Sequence, residues 1–295
     1  MPPWKGMPGM MKLSLWGGKP LWDGYRLRRR RGKGSFGEVW EAETKEEEPI
    51  ALKFLPCRDP ITSAKELRNI RAIQELSHPN LLKTQRVWSS QGYVVISMEL
   101  ADGSLNDVLG IAQAEHGGGL SQNTVCAYLA EAADALDFLN ARRHSLGAGV
   151  VGIQHCDIKP GNLLVVGERL KVCDFGLATQ MSAPLVSHSR AGTTAYAAHE
   201  IFDGQLSDWS DQFALAVTYC ELRGGRLPYP RTPSRFDRAY VHPDPDLTML
   251  TAGEAQVIRR ALSRVPQDRW SNCGEMMKRL SALVSRRNDA VAVAV

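Results

Sequence analysis

The stretch from His155 to Asn162, His-Cys-Asp-Ile-Lys-Pro-Gly-Asn, constrains the fold of this chain more than any other. It places a carboxylate, an ammonium group and a carboxamide within six residues. Pro160 and Gly161 break any helix at this point, so a loop presents the polar groups. Apolar runs precede the loop at Val150–Val151 and follow it at Leu163–Val166, and both predict buried backbone. The sequence therefore predicts a polar loop between two buried segments.

A second carboxylate, Asp174, follows at the end of a short apolar run in the segment Val-Cys-Asp-Phe-Gly. Together the two stretches resemble the catalytic loop and the metal-binding motif of the eukaryotic-type protein kinases, including the bacterial serine/threonine kinases. The resemblance implies that Asp157 accepts or orients the proton of the acceptor hydroxyl and that Lys159 neutralises the transferred phosphoryl group. It also implies that Asn162 and Asp174 hold Mg²⁺. Either motif alone is a weak signal, so the argument depends on further motifs in the right order.

Three glycines, Gly32, Gly34 and Gly37, predict a hairpin whose backbone can approach phosphate oxygens with no Cβ in the way. The same spacing also opens dinucleotide-binding folds, where it follows a strand and starts a helix. Here the alternating segment Glu38–Ala42 predicts a strand instead, which is the kinase arrangement. The resemblance implies an ATP-binding loop made of Gly32, Lys33, Gly34, Ser35, Phe36, Gly37 and Val39.

The run Pro49–Leu55 predicts an apolar strand that carries one charged residue, Lys53. A lysine in such a run reaches a polar site or an anion, or else it faces solvent from an edge strand. The run matches the V-A-I-K pattern, which implies that Lys53 pairs with the phosphates of ATP. The resemblance assigns the remaining nucleotide contacts to Ala51, Met98, Glu99, Ala101 and Leu164.

An amphipathic helix is predicted over Ser63–Leu76, because apolar residues recur there at steps of three. A kinase needs a glutamate on this helix to pair with the strand lysine, and we expect Glu66 to pair with Lys53. Two alternatives stay open. Counted back from His78, the position that usually carries this glutamate is Asn69. Ser63, three residues before Glu66, also fits a capping box, in which Glu66 would cap its own helix.

The segment Leu177–Glu200 resembles a kinase activation segment, with His199 in the position of the usual proline, and its small polar residues predict a mobile loop. The resemblance implies that Thr193 bridges the catalytic carboxylate and Lys159, and that this lysine favours serine or threonine acceptors. The arginine that usually pairs with a phosphate on this segment is replaced by Cys156. We therefore expect activity that does not depend on phosphorylation of the segment. Candidate autophosphorylation sites are Ser182, Ser187, Ser189, Thr193 and Thr194.

Three long-range contacts are also expected from the resemblance. Glu200 and Arg269 should form an ion pair buried between distant segments. Asp211, at the start of a strongly apolar helix, should bond the backbone of the catalytic loop. His155 and Phe175 should stack on one another.

The remaining elements follow from hydrophobic periodicity. Strands are predicted at Leu81–Trp88 and Tyr93–Ser97, and His144–Gly152 is predicted to be a loop. Helices are predicted at Ser121–Arg142, Ser210–Leu222, Thr251–Ser263 and Cys273–Leu283.

Composition excludes several classes of protein. The formal charge of +4 is small for 295 residues and argues against a dedicated nucleic-acid binder. No apolar run reaches the roughly 18 residues that span a bilayer. The first 21 residues lack the apolar core of a secretory signal. The six cysteines form no C-x-x-C pair, so neither a zinc site nor a disulfide framework is indicated, and we expect a cytoplasmic protein.

The resemblance implies an α+β, bilobal protein kinase fold, with a small N-lobe made of an antiparallel sheet and one helix, and a larger, mainly helical C-lobe. We expect a flexible lead-in at 1–21, a kinase domain at 22–284 and a short tail at 285–295. Within the domain the N-lobe is 22–98, the hinge 99–102 and the C-lobe 103–284.

The expected function is transfer of the γ-phosphate of ATP, with Mg²⁺, to serine and threonine hydroxyls of protein substrates. Two alternatives compete with it. A small-molecule phosphotransferase of the same superfamily would lack the segment that ends in Glu200. A pseudokinase would bind partners without catalysis. The sequence does not indicate an oligomeric state.

Overall fold

The computed structural model describes residues 15, 17–18, 21, 24–34, 37–57, 74–145, 149–188, 192–230, 234 and 240–293, with side chains to residue 285. The chain divides into two compact units. The first consists of Met1–Ser77 and Leu82–Ala101, and the second of His78–Leu81 and Asp102–Val295.

The first unit contains a five-stranded antiparallel sheet with the strand order β1-β2-β3-β5-β4. The inner strands β3 and β5 are buried on both faces, which explains their nearly continuous apolar sequences. Strand β1 lies at one edge and is rich in arginine, a composition that discourages pairing with other chains. The strands are β1 Arg26–Lys33, β2 Glu38–Glu43, β3 Pro49–Pro56, β4 Thr84–Ser90 and β5 Tyr93–Glu99.

One face of this sheet carries the main hydrophobic core of the first unit. Leu27, Leu52 and Phe54 are at most 1% exposed in this core. Leu21, a residue of the predicted lead-in, is also buried there. The Tyr25 and Trp88 rings stack at the edge of the cluster with centroids 5.7 Å apart.

The predicted strand at Leu81–Trp88 is wrong in its first residues. Strand β4 starts at Thr84, and Leu81 instead forms a parallel bridge with Val172 in the second unit. The reason is a set of bonds around Asn80, whose carbonyl accepts from the Val172 N–H at 2.8 Å and whose amide donates to the Leu170 carbonyl at 2.9 Å. Most of the predicted helix at 63–76 lies outside the described residues.

The second unit is mainly helical. Three of its helices begin at polar caps: Ser104 and Thr251 each form a capping box, and Ser121 accepts from the Thr124 N–H. The four predicted helices are confirmed within a residue at their starts, and the last continues beyond Leu283. The helices are α1 Leu105–His116, α2 Gln122–Asn140, α3 His199–Phe202, α4 Ser210–Gly224, α5 Ala252–Ala261 and α6 Cys273–Val293. The strand-rich first unit and the helical second unit confirm the α+β class.

Short strands hold the loops of the second unit. They form three small sheets, β10-β9-β6, β11-β8-β7 and β12-β13. The strands are β6 Gly103–Ser104, β7 His144–Ser145, β8 Val150–Gln154, β9 Leu163–Val166, β10 Arg169–Val172, β11 Thr179–Met181, β12 Leu185–Ser187 and β13 Gln205–Ser207.

Two predictions for these loops are wrong. The expected loop at His144–Gly152 contains β7 and most of β8, because its two ends pair with each other. Val150 is also 58% exposed, since it belongs to the pair next to the connection between the two strands, whereas its neighbour Val151 is buried.

The helices of the described residues include none that is long and apolar enough to cross a membrane.

Candidate active site

The loop predicted to be catalytic lies between β8 and the 3-10 turn Pro160–Asn162. The carboxylate of Asp211, the second residue of α4, accepts hydrogen bonds from the backbone N–H groups of His155 at 2.5 Å and Cys156 at 2.9 Å. This confirms the predicted contact. Burial raises the pKa of Asp211, and the hydrogen bonds from the two backbone donors oppose that shift. Cys156 has a φ of 68°, which is unfavourable for a residue with a side chain, so these bonds hold the loop in a strained conformation.

Asp157 is 7% exposed, and four donors fix both oxygens of its carboxylate. Oδ2 accepts from Lys159 Nζ at 2.8 Å and from Asn162 Nδ2 at 2.9 Å. Oδ1 accepts from the backbone N–H of Thr193 at 2.9 Å and from its Oγ1 at 2.7 Å. Lys159 Nζ also donates to Thr193 Oγ1 at 2.6 Å. The predicted bridge from the threonine hydroxyl to both groups is confirmed.

This cluster of Asp157, Lys159, Asn162 and Thr193 can orient an alcohol against a carboxylate beside a positive charge. A carboxylate within hydrogen-bond reach of a hydroxyl can orient it or take its proton. An ammonium group fixed in place stabilises negative charge that develops next to it. Transfer of an anionic group to a hydroxyl requires both capacities.

The two predicted metal ligands, Asn162 and Asp174, lie on segments that a backbone hydrogen bond joins, from the Cys173 N–H to the Asn162 carbonyl at 3.0 Å. The side-chain amide nitrogen of Asn162 also donates to the main-chain oxygen of Asp157 at 2.7 Å. Since that nitrogen is directed at Asp157, the side-chain carbonyl oxygen is turned elsewhere. Asp174 has a φ of 67° and precedes the 3-10 turn Phe175–Leu177. One carboxylate and one amide oxygen suit Mg²⁺, which prefers oxygen ligands and completes its shell with water and phosphate oxygens.

His155 connects the two loops. Its Nε2 lies 2.8 Å from the carbonyl oxygen of Cys173, and its ring meets the ring of Phe175 edge to face with centroids 5.0 Å apart. The predicted stacking is confirmed. The imidazole therefore fixes the start of the catalytic loop against the segment that carries Asp174.

The predicted nucleotide-binding residues of the first unit lie on neighbouring strands. Lys53 is opposite Val39 of β2, and Ala51 is opposite Met98 of β5. The glycine loop closes with a hydrogen bond from the Gly34 N–H to the carbonyl oxygen of Gly37 at 2.8 Å.

The described residues leave out Ser35, Phe36 and Glu66, so the expected pairing of Glu66 with Lys53 stays a prediction. Gly37 has a local reason to be glycine, because a Cβ there would collide with the carbonyl oxygen of Phe54. In the second unit, Leu164 is a half-buried residue of β9.

The predicted ion pair between Glu200 and Arg269 is confirmed. Nη1 and Nη2 of Arg269 donate to Oε1 and Oε2 of Glu200 at 3.0 and 2.7 Å, and the arginine is only 2% exposed. The hydroxyls of Ser207 and Ser210 donate to the same carboxylate at 2.7 and 2.8 Å. Burial alone would raise the pKa of Glu200, but the guanidinium and the hydroxyl donors outweigh it and lower that pKa.

The segment that ends in Glu200 also rests on a histidine that the sequence analysis missed. Nε2 of His242 lies 2.9 Å from the carbonyl oxygen of Ala197, and its ring centroid is 4.6 Å from that of His199. Burial, reinforced by neighbouring positive charge, lowers the pKa of both histidines to about 4. Both rings are therefore neutral near pH 7.

A second residue that sequence reasoning missed is Gln154, which is 1% exposed. Its Nε2 donates to Asn140 Oδ1 at 3.0 Å and to the Asp208 carbonyl at 3.2 Å, and its Oε1 accepts from the Asp211 N–H at 3.0 Å. A glutamine that directly follows an apolar run was the available signal, because a buried amide needs hydrogen-bond partners. For His242 the surrounding Pro-rich sequence gave no such signal.

Comparison with known proteins gives an independent result. The model of the family described as "Protein kinase domain" matches residues 25–280. CBL-interacting protein kinase 4 of Oryza sativa subsp. japonica is 32% identical over 227 residues, which cover 72% of this chain and 47% of that protein.

Bacterial relatives are also found. Serine/threonine-protein kinase PknH of Mycobacterium bovis is 27% identical over 268 residues, which cover 85% of this chain and 42% of that protein. Serine/threonine-protein kinase PknF of Mycobacterium tuberculosis is 27% identical over 293 residues, which cover 90% of this chain and 57% of that protein. The chain thus spans about half the length of these curated relatives.

Proposed function

Because the chain belongs to the protein kinase family, we propose that it is an ATP-dependent serine/threonine protein kinase that transfers the γ-phosphate of ATP to protein hydroxyls. One observation carries the proposal. The carboxylate of Asp157, the ammonium group of Lys159 and the hydroxyl of Thr193 form a closed set of hydrogen bonds between 2.6 and 2.8 Å. A carboxylate and a cation beside it are what phosphoryl transfer to an alcohol uses, and the hydroxyl of Thr193 contacts both.

Each group has a defined task in this proposal. Asp157 orients the acceptor hydroxyl and takes its proton as the phosphoryl group transfers. Lys159 lies beside that carboxylate and stabilises the charge on the transferred group. The four donors around Asp157 keep its carboxylate in one orientation, so little reorganisation is needed during the reaction.

We propose that Asn162 and Asp174 hold Mg²⁺. Bound there, the ion would neutralise the phosphates of ATP and orient them for transfer. Lys53, paired with Glu66, would hold the phosphates from the first unit. The adenine and phosphate contacts would come from Gly32, Lys33, Gly34, Ser35, Phe36, Gly37, Val39, Ala51, Met98, Glu99, Ala101 and Leu164.

Two alternatives remain as outcomes of a test. The buried pair of Glu200 and Arg269 disfavours a small-molecule phosphotransferase, because it belongs to a protein-substrate segment that such enzymes lack. The intact cluster around Asp157 disfavours a pseudokinase. The proposed class of acceptor is serine or threonine, since Lys159 contacts both Asp157 and Thr193.

The test is transfer from radiolabelled ATP to a generic acceptor protein, with the wild-type chain compared with Asp157→Asn. We expect phosphoserine and phosphothreonine from the wild type and a loss of at least about 100-fold in the variant. Asp203→Asn, a change of the same kind at an exposed position, should keep wild-type activity. Nucleotide binding without transfer by the wild type would indicate a pseudokinase, and a labelled small molecule would indicate the other alternative.

The wider assignments belong to the same proposal. We propose the domain limits given above, with the kinase domain at 22–284 between the lead-in 1–21 and the tail 285–295. Protein substrates and ATP are the proposed partners, with no nucleic acid, and the proposed location is the cytoplasm.

We further propose that activity does not depend on phosphorylation of the segment 177–200. Burial raises the pKa of the Cys156 thiol well above its ordinary value, so a neutral group occupies the position of the usual arginine. Backbone pairing can replace the phosphate contact. Strand β11 pairs with β8, and β12 pairs with β13. The His188 N–H also donates to the Gly204 carbonyl at 2.8 Å, and the Asp208 N–H to the Pro184 carbonyl at 3.0 Å.

The test compares freshly dephosphorylated protein with untreated protein. We expect at least half of the rate to remain, because the backbone pairs do not need a phosphate. A variant with alanine at Ser182, Ser187, Ser189 and Thr194 should behave in the same way. Loss of nearly all activity on dephosphorylation, with recovery after incubation with ATP, would refute independence and leave the kinase assignment intact.

A further inference from the structure

Arg31 occupies an irregular position in strand β1. The register with β2 runs from Arg30 opposite Trp40 to Gly32 opposite Val39, so Arg31 is an extra residue between these two pairs. A bulge of this kind re-aims the side chain of the extra residue. The Arg31 side chain is 27% exposed, whereas that of Arg29, two residues earlier on the same strand, is 69% exposed.

The bulge directs the guanidinium group of Arg31 to the end of the segment that follows β5. Nη2 donates to the carbonyl oxygen of Ala101 at 3.2 Å, and Nη1 lies 3.4 Å from Oε2 of Glu41. Arg29 binds that same carboxylate oxygen through Nε at 2.8 Å. Glu41 is therefore shared by both arginines, and the bond to Ala101 distinguishes Arg31.

The two chain segments that Arg31 joins both belong to the proposed nucleotide site. Gly32, the first glycine of the phosphate loop, follows it directly. Ala101 lies in the segment proposed to meet the adenine ring. All of these residues lie in the first unit, so the contact is internal to that unit.

We propose that Arg31 is a nucleotide-positioning residue. Its hydrogen bond to the carbonyl of Ala101, here called the tether, links the start of the glycine loop to the segment after β5 and holds both in the positions that an adenine nucleotide needs. The inference rests on the proposed function. A segment that is already held in its bound position loses less conformational freedom when the ligand binds, and the affinity rises accordingly. The tether should act on the binding of ATP and ADP alike and not on the transfer step, because it joins two segments of the proposed nucleotide site.

The alternative is that Arg31 is a surface arginine that only pairs with Glu41. Arg29 is the matched control for that role, because it binds the same carboxylate oxygen from the same strand. Arg31→Leu removes the tether, and Arg29→Leu removes an equal charge and a bond to Glu41. Arg31→Lys keeps an N–H donor of similar reach.

The experiment is calorimetric titration of the full chain with ADP in the presence of MgCl₂. Arg31→Leu should raise the Kd for ADP about fivefold, the effect of one partly exposed charged hydrogen bond. Arg29→Leu and Arg31→Lys should stay within about twofold of the wild type. In steady-state assays Arg31→Leu should raise KM for ATP by the same factor, with kcat and KM for the acceptor protein unchanged.

Two results would overturn the inference: equal Kd values for Arg31→Leu and Arg29→Leu, or a loss of kcat in Arg31→Leu without a change in ADP affinity. Failure of the proposed function is distinguishable from both. If the wild type binds ADP but transfers no phosphate, the kinase proposal falls and the titrations still decide the role of Arg31. If the wild type binds no ADP, both proposals fall together.

Discussion

Removal of Arg269 tests whether the segment that ends in Glu200 depends on one buried ion pair. Arg269→Ala deletes a guanidinium group that donates to both oxygens of Glu200 and to the carbonyl oxygens of Ser263 and Trp209, each at 3.0 Å or less. The glutamate stays buried in the variant, because α3 and the hydroxyl of Ser207 still enclose it. An uncompensated buried carboxylate is strongly unfavourable.

The magnitude follows from this burial. Breaking a buried ion pair by removing one partner destabilises a protein by about 3–5 kcal/mol. A loss of that size is a large fraction of the roughly 5–15 kcal/mol that stabilises a typical domain. For a domain of about 200 residues it lowers Tm by roughly 10 °C. The pair also lowers the pKa of Glu200, so the stability it contributes is present above the ordinary carboxyl pKa and is lost as the pH falls below it.

The assay is thermal unfolding at pH 7.5, followed by circular dichroism, with an exposed ion pair as the control. Arg226 Nη1 lies 2.6 Å from Asp246 Oδ2, but both side chains are more than 40% exposed. Arg226→Ala should leave Tm nearly unchanged, because water solvates the carboxylate that remains. Arg269→Lys, which keeps the charge but cannot form two parallel bonds, should have an intermediate Tm and provides a measurable variant if Arg269→Ala does not fold.

Equal melting temperatures for Arg269→Ala and Arg226→Ala would refute the argument that burial makes this pair strong. A full loss of stability in Arg269→Lys would refute a different step. It would mean that the bond geometry, and not the compensated charge, carries the stability.

Two further predictions follow from the site. Thr193→Val should lower kcat about 10- to 100-fold with little change in the Kd for ADP, because it removes the hydroxyl that bridges Asp157 and Lys159. An unchanged kcat would contradict this prediction. The pKa values of His199 and His242 are lowered to about 4, so the stability that these neutral histidines contribute is fully present above about pH 6.5 and is lost as the pH falls toward 4. His242→Phe should therefore reduce the fall in Tm between pH 7 and pH 5. An unchanged fall in Tm would contradict the assignment.

The sequence was informative wherever the chemistry needs side chains at fixed spacing along the chain. Asp157, Lys159 and Asn162 lie within six residues, so their order alone indicated one polar cluster. The ion pair between Glu200 and Arg269 was different, since 69 residues separate its partners. Neither spacing nor periodicity could link them, and only the family resemblance predicted the contact.

The sequence was uninformative where a buried polar side chain finds partners in several distant segments. Gln154 bonds residues 14, 54 and 57 positions away, and His242 bonds a carbonyl 45 positions away. Burial of such groups is favourable only when all the partners arrive together. That condition belongs to the assembled fold, so no local pattern could have indicated it.

The activation segment shows why composition also misled. Small polar residues predicted a mobile loop over 177–200, yet β11 and β12 bring parts of it into sheets. Sheet pairing uses backbone N–H and C=O groups, which every residue except proline supplies in full, so polar composition does not exclude it. The pairs of β11 with β8 and of β12 with β13 are therefore made by backbone groups and not by side-chain charges. If the backbone holds the segment, the segment around Thr193 stays ordered even though Cys156 replaces the arginine that usually binds a phosphate there. The dephosphorylation experiment tests that step directly.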